Sequence, residues 1–115
     1  MDIKQLKSHL FQNKDKIVEI LEELNFHHIK FHKGLDENYY TCGNPDGNNQ
    51  TAITIYLSPS LLTINYTRDI SPDKKSSDFI DLVKFFQPDK NFFQVLKWLS
   101  EKSGVDYYSP ELNKN

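Results

Sequence analysis

Between His27 and Thr67 the apolar residues fall on every second position, while on either side of this stretch they recur three or four apart. Period two places alternate side chains on opposite faces of a strand, and the longer period builds one face of a helix. A chain divided in this way folds as α+β, with helices before and after a small antiparallel sheet. In the first part, Ile3, Leu6 and Leu10 share one helical face, and Ile17, Ile20, Leu21 and Leu24 share another. Asn13 is the expected N-cap of the second helix, and Asn25 is suited to the left-handed position that ends it.

Three or four strands are expected in the middle. In "HHIKFHK", Ile29 and Phe31 alternate with His28, Lys30 and His32. "YYTC" forms a second strand after the turn chemistry of "GLDEN". In "TAITIYL", Ile53, Ile55 and Leu57 face one way and Thr54 and Tyr56 the other. In "LLTINYT", the expected core face holds Leu62, Ile64 and Tyr66, and the outer face holds Thr63, Asn65 and Thr67. β-branched residues fill both of these strands, as a half-buried pleated surface favours. "DFIDLVKFF" and "KNFFQVLKWLSEKS" then form two helices. The first is expected to be capped by Ser76 or Ser77, with a stripe of Phe79, Leu82, Val83 and Phe86. The second carries Phe92, Val95, Leu96 and Leu99 and stops at Gly104.

The chain has 115 residues, the size of one domain, and residues 1–108 are read as that domain. Residues 109–115 are polar and aperiodic and are read as a tail or the start of a linker, so the chain is expected to be the front piece of a longer protein. A net charge of −2 argues against a strongly basic nucleic-acid binder but leaves room for a local basic face. The N-terminus is too polar for a signal peptide, and no apolar run approaches a membrane span of about 18 residues. The cytoplasm is the expected compartment, without a membrane partner.

Catalytic motifs are missing: there is no nucleophile elbow, P-loop or glycine fingerprint. Asp36, Glu37, Asp46, Asp69 and Asp73 fall in loops, where solvation accounts for them. The one cysteine, Cys42, excludes an internal disulfide and leaves three readings. It is a buried thiol acting as a small hydrophobe, a nucleophile beside a histidine, or a metal ligand with His28, His32 and Asp46. The metal set is strained on paper, since four residues along a strand separate His28 from His32 by about 13 Å.

The outer sheet face would present His28, Lys30, His32, Thr54, Tyr56, Thr63, Asn65 and Thr67, flanked by Lys33, Arg68, Lys74 and Lys75. Rings that stack on bases and cations that follow phosphates are what a single-strand platform needs. The alternative is an ordinary solvated face of an antiparallel sheet.

"SDFIDLVKFFQPDKNFFQVLKWLSEKSGVDY", Ser77 to Tyr107, resembles the end of the zinc-ribbon domain of bacterial and phage DNA primases. Asp78, Phe79, Ile80, Asp81, Leu82 and Val83 fit that family's first helix. Phe92, Phe93, Leu96, Trp98, Leu99, Glu101, Lys102, Gly104 and Val105 fit its second. Upstream, the resemblance sets Cys42 at the first zinc ligand, Pro45 at the histidine, and Asn65 and Arg68 at the paired cysteines. Three of those four ligand types are lost, so the resemblance implies a degenerate zinc ribbon of phage or prophage type without zinc or another cofactor. The fold would then be held by the N-terminal helices and by Phe31, Tyr39, Tyr40, Tyr66, Phe79, Phe86, Phe92 and Trp98.

The resemblance further implies a non-catalytic domain that binds single-stranded DNA template for primer synthesis. A downstream primase catalytic domain and a replicative helicase are its implied partners. The chain alone is not expected to be an enzyme, whereas a longer parent would be a primer-synthesising RNA polymerase. The expected contacts are Tyr56 stacked on a base, Asn65 bonded to a base edge or sugar, and Lys30, His32 and Arg68 on phosphates, with Lys74 and Lys75 nearby. A protein-docking module of a replication complex and a small Cys-His enzyme are the rival functions.

Overall fold

The computed structural model describes residues 3–67 and 77–104. The element order is α1 (Ile3–Gln12), α2 (Lys14–Glu23), β1 (His27–His32), β2 (Tyr39–Gly43), β3 (Ile53–Tyr56), β4 (Leu62–Asn65), β5 (Ser77–Asp78), α3 (Phe79–Phe85) and α4 (Phe92–Ser103). The five strands form one antiparallel meander in chain order. This is the expected α+β arrangement, with the short β5 added at one edge.

One face of the sheet supplies Tyr40, Cys42, Ile53 and Ile55 to a core shared with all four helices. The helices contribute the residues their periodicity predicts: Leu6 and Leu10, Ile17, Ile20 and Leu21, then Phe79, Leu82 and Val83, then Val95, Leu96 and Leu99. Burying one such side chain stabilises the fold by about 1.5–3 kcal/mol relative to leaving it exposed.

Two caps differ from expectation. Asn13 makes no side-chain cap to α2; its Nδ2 donates back to the His9 carbonyl at 2.9 Å and so closes the end of α1. The cap of α3 is Asp78, which accepts from the Asp81 amide at 2.8 Å, while Ser77 lies in β5. Ser76 is outside the described residues. The helix ends otherwise behave as their chemistry requires. Asn25 has φ 70, and Gly104 ends α4 in the left-handed region at φ 80. Asn91 and Gln94 form a capping box at the start of α4.

The phase of β4 is the reverse of the expected one. Ile53 pairs with Asn65 and Ile55 with Thr63, so Thr63 and Asn65 face the core side while Leu62 and Ile64 turn outward. Leu61 causes the inversion. It is fully buried at the mouth of the hairpin with φ 51, and its carbonyl accepts from the Phe79 amide at 3.0 Å. Seating Leu61 inward shifts every later side chain of the strand by one step. The inward Thr63 satisfies its hydroxyl locally by donating to the Leu61 carbonyl at 3.0 Å.

The aromatic residues divide between core and surface. Phe79 and Tyr40 are buried and Phe86 is half-buried, edge-on to Phe26 at 4.9 Å. Phe31, Tyr66 and Phe92 are exposed and do not hold the core. Phe31 sits at the rim, with the Lys14 ammonium 4.9 Å from its ring centroid.

Candidate nucleic-acid interface on the outer sheet face

The pairing register decides which side chains meet on the outer face. His32 lies opposite Tyr39, and Tyr39 lies opposite Tyr56. These directly opposed positions form one row at right angles to the strands. His32 stacks on Tyr39 with centroids 4.8 Å apart and planes within 9°. Tyr39 approaches Tyr56 at 5.9 Å with the planes tilted by 48°. All three rings are half-buried. The next row holds Lys30 opposite Thr41 and Thr41 opposite Thr54. Lys30 is exposed, whereas Thr41 and Thr54 are buried at the base of the rings. His32 Nε2 is hydrogen-bonded to the Thr41 hydroxyl at 2.7 Å, which fixes the orientation of its ring.

This row is what the face can use chemically. Rings rising from adjacent strands of a sheet are suited to stacking on successive bases, and an exposed lysine beside them is suited to a phosphate. Lys30, His32 and Tyr56 are brought together on the outer face. Tyr39, which sequence reasoning assigned to core support, completes the row between His32 and Tyr56. The alternation of "YYTC" carried the signal, but only the register reveals that Tyr39 has a ring on each side.

Asn65 does not join this face. It is only 8% exposed and lies on the core side of β4. Its Nδ2 donates to Asn44 Oδ1 at 2.8 Å, and its Oδ1 accepts from Asn44 Nδ2 at 3.3 Å. Thr67 closes the cluster, donating to Asn65 Oδ1 from its amide at 3.2 Å and its hydroxyl at 3.1 Å. A buried amide with partners on both atoms is committed to the fold, and its place on the core side keeps it from a base on the outer face. Thr63 is likewise buried on the core side. Arg68, Lys74 and Lys75 lie outside the described residues.

His28 is displaced from the Lys30–His32 face by a bulge between His27 and Lys30. Cys42 is fully buried on the core face, opposite Ile53, while His32 is on the other face. The set His28, His32, Cys42 and Asp46 therefore does not converge, and no group of three or more His, Cys, Asp or Glu does so among the described residues. Burial pushes the Cys42 thiol up to about 12, so it stays protonated at neutral pH and is a poor nucleophile. Cys42 packs as a small hydrophobe.

No helix among the described residues is long and apolar enough to cross a membrane. No protein-family model, curated protein or solved structure matches the chain.

Proposed function

We propose that this chain is a non-catalytic cytoplasmic module that binds single-stranded DNA on its outer sheet face. The row His32–Tyr39–Tyr56 carries the proposal, because three rings aligned across three strands beside an exposed lysine suit an unpaired strand better than a duplex. In this role Tyr56 stacks on a base, Tyr39, held between His32 and Tyr56, keeps the row in place, and Lys30 neutralises a phosphate. His32 positions Tyr39 by stacking and contributes a phosphate contact. The resemblance of Ser77–Tyr107 to the primase zinc-ribbon domain supports a template-handling role in a primase-like replication protein. Polymerisation would then belong to a catalytic domain of the longer parent, and a replicative helicase is a further partner.

With a net charge of −2 the module neutralises few phosphates, so affinity is expected at micromolar or weaker. Titrating labelled single-stranded oligonucleotides at two salt concentrations tests the proposal. Binding should weaken with salt, and Lys30→Ala should reduce the logarithmic salt slope by about 0.7, the share of one single-strand phosphate. A parent chain that fails to bind at low salt would refute it.

A second reading rests on the connection between α3 and α4. Phe85, Phe92 and Phe93 are exposed at the α3–α4 connection, which favours a protein-docking module. Exposed apolar rings of this kind are enriched at protein interfaces. Capture of a replication partner that is lost on Phe93→Ser, without oligonucleotide binding, would favour this reading.

A further inference from the structure

Adjacent side chains of a regular strand point to opposite faces, so His27 and His28 should not meet. A bulge in β1 brings them together. His27 pairs with Gly43 and Lys30 with Thr41, so three steps on β1 oppose two on β2. His28 takes φ 55, a left-handed conformation that few residues other than glycine adopt, although histidine is among those enriched there. The two imidazoles stand edge to face with centroids 4.9 Å apart. Their Nδ1 atoms are 2.7 Å from each other.

Two further features fix this pair. His27 Nε2 donates to the Gly47 carbonyl at 2.8 Å. A carbonyl only accepts, so Nε2 carries the hydrogen, and neutral His27 directs its Nδ1 lone pair at His28. Gly43 leaves room for the ring, since a Cβ there would lie 2.2 Å from His27 Cε1. The bulge, the left-handed residue and the glycine all serve the placement of two nitrogens. Backbone strain held in this way concentrates at ligand-binding and other functional sites.

We propose that His27 and His28 form a two-imidazole chelate for a divalent transition cation of the imidazole-preferring class: zinc, nickel or copper. Each Nδ1 supplies one ligand. The hydrogen between them moves from His28 Nδ1 to its exposed Nε2 through water, and the cation takes its place. Metal–nitrogen bonds of about 2.0–2.1 Å require the Nδ1 atoms to part to about 3–3.4 Å, and the exposed His28 ring can move that far. The Gly47 carbonyl on the far nitrogen of His27 is the outer-shell partner that metal-bound histidines ordinarily have. No third protein ligand converges among the described residues, so water completes the coordination and the cation exchanges. Cys42 faces the core opposite Ile53 and is not part of this site.

The test titrates zinc and nickel ions into the full chain at neutral pH and follows the imidazole C–H resonances of all four histidines. The expected result is a saturating change confined to His27 and His28. His28→Gly removes one ligand but accommodates φ 55, so it keeps the bulge while weakening binding on the order of tenfold or more. Cys42→Ala should bind like the parent. No saturation, parent-like binding by His28→Gly, or changes centred on His32 and lost in Cys42→Ala would each overturn the proposal.

Discussion

Asn44 and Asn65 exchange two side-chain amide hydrogen bonds, at 2.8 and 3.3 Å, tying the end of β2 to the end of β4. Asn44 Nδ2 also donates to the Thr67 hydroxyl at 2.7 Å. This amide cluster joins the two strand ends. Asn65→Ala removes the partner of a buried amide and should cost about 1–3 kcal/mol, the range for an unsatisfied buried polar group. Urea unfolding of the parent and the variant measures it. Unchanged stability would show that the cluster does not hold these strand ends.

Core truncations should separate the aromatic residues by burial. Phe79 is fully buried, so Phe79→Ala should cost about 3–5 kcal/mol. Trp98 only packs against the edge of the core, with the Lys102 ammonium 5.6 Å from its ring centroid, so Trp98→Ala should cost clearly less. Thermal melts of both variants provide the comparison, and the reverse order would mean that α4 is rotated relative to the sheet.

Cys42 should be silent in the native chain. Its thiol is raised by burial from an ordinary value of 9.0 to about 12, so the folded state holds this proton more tightly than the unfolded state. The resulting stabilisation is fully present below pH 9 and is lost as pH rises through about 12. Native protein at pH 8 should resist a thiol reagent and react on unfolding, and Cys42→Ala should flatten the fall of the melting temperature above pH 9. Rapid stoichiometric labelling without denaturant would contradict the buried placement.

Element types were legible in the sequence because hydrophobic period is local. Among the described residues, the switch from period 3.6 to period two and back located four helices and four of the five strands within a few residues. The phase of β4 ran against its pattern, because Leu62, Ile64 and Tyr66 are the more apolar alternating set and yet face outward. The choice was made by Leu61, whose left-handed backbone no periodicity reports. The same limit hid the ring row. Alternation put Lys30, His32 and Tyr56 outward correctly, but it assigned Asn65 to their face and left Tyr39 off it. Cross-strand neighbours follow from register, which one strand's sequence does not specify. The convergence of His27 and His28 was hidden for a related reason, since simple alternation sends adjacent residues to opposite faces and only a bulge reverses that.

The ring row also separates binding from stability. Asn65→Ala should destabilise the fold yet bind oligonucleotides like the parent when both are compared well below their melting temperatures. Parent-level stability with weakened binding would return Asn65 to the interface and contradict its buried geometry.

The most direct measurement is the affinity of the parent, Tyr39→Ala and Tyr56→Ala for a labelled single-stranded oligonucleotide at low salt. Each variant removes one ring from the outer face. Losing one base stack costs about 1–3 kcal/mol, so Tyr56→Ala should bind about fivefold to 150-fold more weakly. Tyr39→Ala should lose at least as much, because His32 stacks on its ring and Tyr56 leans against it. Parent-like affinity in both variants, or no binding by the parent at low salt, would contradict the claim that this sheet face receives a single strand.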